Sequence, residues 1–291
     1  MQNRLICGAQ LREDSALRES FFALAKRTFD IDFAPWHAAG YWDDSYLPYA
    51  LEREGRIIAN VSVSRMNLRW QGKARQYFQI GTVMVDQAFR GQGLCRALME
   101  RALSDWQPRC EAVYLYANDS VLNFYPKFGF RPVAEHQYFA ELRPCPGDFA
   151  PLNLQNPAHL ALLRRCYQKG NPFSQLAAPD HFGLLMFYCG SFLKDCVYYS
   201  PAHDAICIAE QQESGLLCYD IFCDAGANLE QMLRQMLSAD QRKVFFGFTP
   251  PSSCGYSCAP LVQEDTTFFL LRGKEDIFSS HQLMLPLLSH A

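Results

Sequence analysis

The sequence lacks an excess of either charge and lacks long apolar runs. Its 27 lysines and arginines are offset by 30 aspartates and glutamates, which leaves a formal net charge of -3. Such a chain has no general basic field for nucleic acid or an anionic membrane. No run of about 18 apolar residues is present, and the stretch Met1–Gly8 is too short and too polar for a signal peptide. We therefore expect a cytoplasmic protein without a nucleic-acid or membrane partner.

Paired cysteine motifs are also missing. The chain has 12 cysteines, but they are scattered and form no Cys-x-x-Cys pair, and most lie in apolar surroundings. They are predicted to be reduced residues of the core. The closest spacing, Cys254-Gly-Tyr-Ser-Cys258, has neither a second pair nor a partnering histidine, and a structural zinc ion needs four ligands. We predict no metal site.

A chain of 291 residues is long for one domain and sufficient for two, each with its own core. The stretch Arg143-Pro-Cys-Pro-Gly-Asp-Phe-Ala-Pro151 contains three prolines and a glycine in nine residues and has no helical or strand periodicity. The domain boundary is predicted there, between domains of residues 1–144 and 145–291.

One strand, turn and helix in the first half have the pattern of a phosphate site. The apolar, β-favouring residues 83–85 are followed by a glycine-containing turn, and apolar residues then recur at helical spacing from Gly93 onward. The first amides of a helix have no intrahelical partners and lie at the positive end of its dipole. Gly91 and Gly93 leave room for an anion, and Arg90 and Arg96 add positive charge. By itself, this pattern also fits an ordinary connection with surface arginines.

A second stretch, Leu115 to Phe130, makes the interpretation specific. Arg90-Gly-Gln-Gly-Leu-Cys95 resembles the Arg/Gln-x-x-Gly-x-Gly/Ala signature of the GCN5-related N-acetyltransferases. Asn118, Val121, Tyr125 and Gly129-Phe130 fall at the spacing of that family's second signature. The resemblance covers roughly residues 3–142. Cys95, where the family usually has glycine or alanine, and Gln87, where many members have proline, depart from the pattern.

The resemblance implies the family's fold, cofactor and activity. The fold class is α/β (α+β), with two tandem acetyltransferase-like domains, each a mixed, mostly antiparallel twisted sheet flanked by helices. The cofactor is acetyl-coenzyme A, and the reaction is transfer of its acetyl group to a primary amine of a small molecule, peptide or protein. The residues expected to bind the cofactor are Val83, Met84, Val85, Arg90, Gly91, Gln92, Gly93, Leu94, Cys95, Arg96, Asn118 and Asn123.

Two roles in catalysis follow from the same resemblance. Tyr125 stands at the position of the family's general acid, which protonates the departing sulfur. The base stays unassigned among Glu52, Glu54, Asp43, Glu135, His136, a water chain and the terminal carboxylate of Ala291. His37 is as well explained by surface packing. The alternative to an enzyme is a non-catalytic acyl-coenzyme A binding module, which would not need a proton donor at Tyr125.

The segment from Phe29 to Tyr46 is rich in aromatic residues, contains scattered aspartates and shows no regular periodicity. In the resembling family this region lines the acceptor pocket. Trp36, Tyr41, Trp42 and Asp43 would suit a substrate with an apolar body and a cationic amine. The alternative is that these aromatic residues close the core beneath a loop.

The remaining elements of the first half are read from local pattern. We predict a strand at residues 3–9, an amphipathic helix at 13–27, a hairpin around Glu54-Gly55, and a central strand at 77–85. A helix at 94–106 and a strand at 112–117 follow. A short helix, capped by Asp119 or Ser120, should end at Gly129.

The second half repeats the order of elements without the motifs. Helices are predicted at 157–167 and 228–237, and strands at 196–199, 205–210, 215–223, 243–248 and 266–271, the last completing the second sheet. This half resembles a degenerate acetyltransferase domain, because Asp224 stands where a pyrophosphate would bind and Pro250 to Gly255 replaces the tyrosine helix. Its expected roles are shaping the acceptor pocket, supporting the first domain or self-association.

Overall fold

The computed structural model of the protein describes residues 3–251 and 254–291. Most helices coincide with the predicted amphipathic segments, and several begin directly after a residue suited to the N-cap position. Asp14 accepts a hydrogen bond from the Leu17 amide at the start of the second helix, and Gly93 lies directly before the fourth. The helices are α1 (Gly8–Glu13), α2 (Ser15–Phe29), α3 (Ala34–Ala38), α4 (Leu94–Trp106), α5 (Pro157–Tyr167), α6 (Phe182–Cys189) and α7 (Leu229–Met236).

The strands form two mixed, mostly antiparallel sheets, as predicted. They are β1 (Arg4–Cys7), β2 (Tyr46–Arg53), β3 (Arg56–Trp70), β4 (Lys73–Val85), β5 (Ala112–Ala117), β6 (Phe130–Pro132), β7 (His136–Glu141), β8 (Ala150–Pro151), β9 (Leu176–Ala177), β10 (Val197–Ser200), β11 (Ala205–Gln212), β12 (Gly215–Phe222), β13 (Lys243–Phe246), β14 (Ser257–Pro260) and β15 (Thr267–Leu271).

The first sheet has the order β1-β2-β3-β4-β5-β15-β6, and β9 pairs with β3. The second has the order β14-β7-β13-β12-β11-β10-β8. Each contains one parallel pair, β4 with β5 and β12 with β13, while its other pairs are antiparallel. The predicted hairpin around Glu54-Gly55 is confirmed as β2 and β3.

The two sheets exchange strands across the predicted boundary at residues 144/145. Strand β7 precedes that boundary but pairs with β13 and β14 in the second sheet. Strand β15 follows it but lies between β5 and β6 in the first. The prediction that residues 266–271 complete the second sheet is therefore wrong. Local pattern identified the strand, but its hydrogen-bond partners lie about 150 residues earlier in the chain.

Two helix predictions need correction. The helix predicted at residues 13–27 does not begin at Glu13, because α1 ends at that residue and α2 begins at Ser15. The short helix after β5 is instead two 3₁₀ turns, Asp119–Val121 and Tyr125–Phe128, and neither Asp119 nor Ser120 caps it, since Asn118 holds that position. Gly129 ends the segment, as predicted, with φ of 90°.

Each sheet has its own core against a helix. In the first, α4 packs Leu98, Met99 and Ala102 among residues that include Val113 and Leu115 of β5. In the second, the apolar face of α7 packs on the strands around β12. All 12 cysteines are free thiols, as predicted, and five of them are buried. No helix of the described ranges is both long enough and apolar enough to cross a bilayer.

Candidate active site

The site begins where the parallel strands β4 and β5 separate. Their pairing runs from Tyr77–Ala112 to Ile80–Leu115 and stops there, although β4 continues to Val85. Beyond Ile80, one edge of β4 has no partner strand in the described part of the sheet. The backbone of residues 81–85 is therefore available to hydrogen-bond a ligand lying in the gap.

A β-bulge turns this part of β4. Opposite β3 the register shifts between Asn60 and Ser62, and Thr82 has a positive φ of 48°. Buried polar groups hold the bulge, because Asn60 Nδ2 donates to Thr82 O at 2.9 Å and Tyr46 Oη lies 2.8 Å from Thr82 Oγ1. A bulge changes the direction of the strand and often lies beside an active site.

The turn after β4 leaves the start of α4 open. Gly91 and Gly93 both have positive φ, near 75°, and a side chain at either would meet nothing within 4 Å. No side chain caps α4, and the amide of Ala97 bonds to Gly93 O at 3.1 Å as the first amide of the helical ladder. Arg90 and Arg96 are exposed beside the turn. Free amides, helix dipole and two guanidinium groups together make a site for an anion.

A cavity of about 950 Å³ connects this turn to the gap between the strands. Many of the residues predicted to bind the cofactor line it: Val83, Met84, Val85, Arg90, Cys95 and Asn118. The others, Gly91, Gln92, Gly93, Leu94, Arg96 and Asn123, lie outside the lining. Burial raises the pKa of the Cys95 thiol to about 11, so this side chain is neutral.

Tyr125 also lines the cavity, at the start of its 3₁₀ turn. Its ring packs against Phe124, Phe130 and Phe269, with centroids 5.3, 6.3 and 6.1 Å away. Burial, with a smaller contribution from Cys95, raises its pKa above the ordinary value. The phenol therefore keeps its proton at neutral pH and can donate it.

The predicted asparagines are placed differently from each other. Asn118 reaches the cavity, but its Nδ2 donates to Asp265 Oδ2 at 2.8 Å, so the side chain is already bound within the protein. Asn123 is exposed and does not line the cavity. Neither asparagine therefore presents a free side-chain amide to the cavity. The turn before α4, in contrast, has free backbone amides.

The aromatic segment divides between the cavity and the core. Trp36 lines the cavity, and its Nε1 donates to Gly183 O at 2.7 Å. Trp42 is only 5% exposed and stacks on Trp36 at 6.0 Å, so it fits the alternative of a core residue. Tyr41 and Asp43 are likewise outside the lining, and Asp43 is hydrogen-bonded to Ser45. Tyr41, Trp42 and Asp43 thus do not face the space predicted for the substrate.

The second half lines part of the cavity, one of the roles expected of it, although the residues that do so were not predicted from the sequence. Leu184, Phe187 and Tyr188 of α6, together with Phe192 beyond it, line the same cavity. The prediction from sequence missed α6 because all of its residues but one glycine are apolar or aromatic, so it shows no amphipathic period. The adjacent aromatic residues Phe187 and Tyr188 were the sequence feature that could have indicated this part of the wall.

The last residues of the chain also reach the cavity. Gln79 forms two hydrogen bonds with the backbone of Ala291, at 2.6 and 2.8 Å. Gly81 makes room for this contact, since a Cβ there would lie 2.7 Å from Ala291 O. His290 Nε2 lies 2.7 Å from Tyr116 Oη, and burial lowers the pKa of this histidine to about 3. The ring is therefore neutral.

Most of the candidate bases lie elsewhere. Glu52 forms a salt bridge with Arg4, and neither it, Glu54, His37 nor His136 lines the cavity. Glu135 is buried behind Tyr116 and lines a smaller, separate cavity. Burial raises its pKa to about 7, although hydrogen bonds from the Leu285 amide and Tyr116 act in the opposite direction. Of these candidates, Ala291 lines the main cavity, and its backbone oxygen already accepts a hydrogen bond from Gln79 Nε2 at 2.6 Å.

The corresponding turn of the second half is closed. Asn228 caps α7 by accepting a hydrogen bond from the Gln231 amide, and Asp224 in the same turn is paired with Lys169 at 2.9 Å. The stretch Pro250 to Gly255, predicted not to be a regular helix, includes Ser252 and Ser253, which lie outside the described residues.

Comparison with known proteins identifies related sequences. Residues 14–130 match the model of the acetyltransferase (GNAT) family. The chain is 30% identical to the uncharacterised N-acetyltransferase YhbS of Escherichia coli K12. The alignment spans 117 residues, which are 39% of this chain and 68% of YhbS.

Solved structures are similar over nearly the whole chain. A probable N-acyltransferase of unknown function from Enterococcus faecalis has a TM-score of 0.59 at 12% identity, over 93% of this chain and 72% of that one. Eis1 from Mycobacterium abscessus has a TM-score of 0.55 at 16% identity, over 92% and 73%. At these identities the structures establish the fold, and the sequence matches establish the family: this chain belongs to the GNAT acetyltransferases.

Proposed function

We propose that the protein is an N-acetyltransferase that moves an acetyl group from acetyl-coenzyme A to a primary amine by direct attack in a ternary complex. One observation carries this proposal. A single cavity is lined by the unpaired end of β4, the side chain of Arg90 beside the open turn before α4, Tyr125, and an aromatic wall.

The cofactor would bind along the first two of these features. Its pyrophosphate fits the amides of residues 91–96, with Arg90 and Arg96 supplying positive charge. Its pantetheine arm would then follow the backbone of residues 83–85 into the gap between β4 and β5, and this would place the thioester near Tyr125.

The chemistry needs a neutral amine, stabilisation of the tetrahedral oxyanion and protonation of the leaving sulfur. The amine nitrogen attacks the thioester carbonyl, the new C–N bond forms, and the C–S bond then breaks with its electrons moving to sulfur. Tyr125 donates its proton to that sulfur. The amine releases its extra proton to water, and water returns a proton to Tyr125. A backbone amide of residues 83–85 is the donor placed to bind the oxyanion.

The second half has a different role in this proposal. Because Asn228 caps α7 and Asp224 adds a carboxylate to the same turn, we assign one cofactor to each chain and give the second half the task of shaping the acceptor side. A non-catalytic acyl-coenzyme A binding module is the competing function. Tyr125 favours the enzyme, since simple binding does not require a protonated phenol in the cavity.

The test combines two measurements on the full chain. Calorimetry with coenzyme A reports binding, and release of free thiol from acetyl-coenzyme A across a panel of primary amines reports turnover. The proposal expects binding together with thiol release that depends on the amine. Binding without turnover on any amine would support the binding module instead, and absence of binding would overturn both functions.

A further inference from the structure

The acceptor side of the cavity is a continuous aromatic wall built from both halves. Phe33 and Trp36 come from the first half, and Phe187 from α6 stacks on Phe33 at 5.5 Å and meets Trp36 edge-on at 5.7 Å. Phe192 continues this wall, 5.7 Å from Phe187. Side chains so arranged present a large apolar surface to whatever occupies the space.

Part of this wall is exposed to solvent. Phe192 is 63% exposed and Phe29 is 39% exposed, and both line the cavity. Among the described residues the other large exposed apolar side chains are Leu5 and Val262, and neither lines it. Exposed aromatic residues at the rim of an apolar cavity are typical of a surface that contacts a ligand.

The same wall contains no acidic side chain. No aspartate or glutamate is present among the described residues that line the cavity. Burial raises the pKa of Tyr46 to about 12, and burial also keeps Tyr116 and Tyr188 neutral by raising their pKa values. The nearest acids of the aromatic segment are engaged elsewhere, since Asp43 binds Ser45 and Asp44 pairs with Arg12.

These properties determine which amines the cavity can hold. One ammonium group can be accommodated against aromatic faces before it loses its proton. A second ammonium that stays charged would leave water without an aspartate or glutamate side chain to pair with, which is unfavourable. An apolar body, in contrast, gains by leaving water against the aromatic wall.

We infer that the acceptor is a primary amine attached to an aromatic body, with no second positive charge. This inference rests on the proposed acetyltransferase function and specifies its substrate class. It excludes polyamines and other polycations as preferred acceptors.

Three amines that share one carbon chain test the inference. They are butylamine, 4-phenylbutylamine and 1,4-diaminobutane, compared by kcat/KM for thiol release at saturating acetyl-coenzyme A. We expect 4-phenylbutylamine to exceed butylamine by about 10- to 100-fold, the effect of burying a side chain of this size. We expect 1,4-diaminobutane to fall at least about tenfold below butylamine, because its second charge has no partner.

A matched pair of variants assigns the preference to the wall. Phe192→Ala should lower the ratio of kcat/KM for 4-phenylbutylamine over butylamine several-fold, and its exposure makes a folded variant the expected result. Val262→Ala, at a residue 89% exposed and outside the cavity lining, should leave that ratio unchanged. Phe192→Glu should raise 1,4-diaminobutane relative to butylamine, because it supplies the missing carboxylate.

The outcomes separate this inference from the proposed function. If butylamine and 1,4-diaminobutane are acetylated equally well, or if Phe192→Ala keeps the full preference for the phenyl group, the inference is wrong while the acetyltransferase stands. If another amine of the panel releases thiol but 4-phenylbutylamine does not, the inference is wrong and the acetyltransferase stands. If coenzyme A binds and no amine of the panel releases thiol above the rate of hydrolysis, the inference and the enzymatic function both fail.

Discussion

Each half contains a unit of strand, turn and helix, and the strand lies beside a parallel neighbour. The two units differ in how far the parallel strands stay paired and in how the helix begins. In the first, β4 leaves β5 after Ile80–Leu115, and α4 begins behind glycines with no side-chain cap. In the second, β12 pairs with β13 through Cys218–Phe246, and the amide of Gly247 then continues the contact by bonding to Cys218 O at 2.7 Å. The amide of Leu287, from the end of the chain, bonds in turn to Gly247 O at 2.8 Å.

The difference shows that the fold alone does not make an anion site. Both helices have a positive dipole end, but in α7 the Asn228 side chain accepts a hydrogen bond from the Gln231 amide, and Asp224 lies in the same turn. The first unit keeps the same groups free. What distinguishes the halves is therefore the occupancy of a few backbone groups, and a site has to be argued from them and not from topology.

Removal of the Tyr125 hydroxyl should have the largest effect on activity. If its proton goes to the leaving sulfur, Tyr125→Phe should lower kcat by about 100-fold, the lower end of the usual range for general acid catalysis. Coenzyme A affinity should barely change, because the ring and its packing remain. Steady-state kinetics and calorimetry on the same variant measure both quantities.

A tyrosine of the second half provides the control. Tyr256 packs on Phe246 at 4.9 Å and does not line the cavity. Tyr256→Phe should keep the wild-type kcat. Wild-type turnover by Tyr125→Phe, under conditions where chemistry limits the rate, would make Tyr125 a packing residue.

Glu135 connects the two units, and its titration should influence stability. Burial raises its pKa from 4.5 to about 7, so between these values the folded state binds more protons than the unfolded state. The free energy of unfolding should therefore decrease as pH rises from 4.5 to 7, by an amount on the order of 2–3 kcal/mol from this group. Glu135→Gln stays neutral and should lose that part of the slope.

Urea unfolding at several pH values measures this contribution as the difference between wild type and variant. Asp220 and His290 also titrate, but they are present in both proteins, so their contributions cancel. Identical pH dependence in the two proteins would mean that Glu135 does not carry the raised pKa.

The smallest expected effect concerns the closed unit. Asn228→Ala removes the cap of α7 and should cost about 1 kcal/mol of stability, the usual value for an N-cap. Freed amides beside Asp224 should still bind no coenzyme A, because the carboxylate repels it. Thermal unfolding and calorimetry check the two statements separately, and gain of a second cofactor site would contradict the second.

Much of the first half was predictable because its signals are local. The glycine turn, the spacing from Asn118 to Gly129, and the amphipathic period of α4 all lie within a few turns of chain, and each is present in the structure. Trp36 lines the cavity, and its role in binding the substrate stays a prediction.

The acceptor side was not predictable in this way. It depends on α6, which has no amphipathic period, and on the end of the chain, which crosses from the second sheet to Gly81. The exchange of β7 and β15 between sheets depends on backbone pairing between distant residues. Trp42 lies in the same aromatic segment as Trp36, and the two differ only in the structure, where Trp36 lines the cavity and Trp42 packs on Phe21.

Titration calorimetry of coenzyme A into the full chain, with three glycine variants, tests the central claim most directly. We predict one cofactor per chain, an affinity at least about tenfold weaker in Gly93→Asp, and wild-type affinity in Gly226→Asp, which places the same charge in the second turn at a glycine where a Cβ likewise meets nothing within 4 Å. Gly93→Asn controls for the positive φ, which asparagine tolerates, and should bind better than Gly93→Asp. Two cofactors per chain, or unchanged affinity in folded Gly93→Asp, would contradict the assignment of the site to the first half.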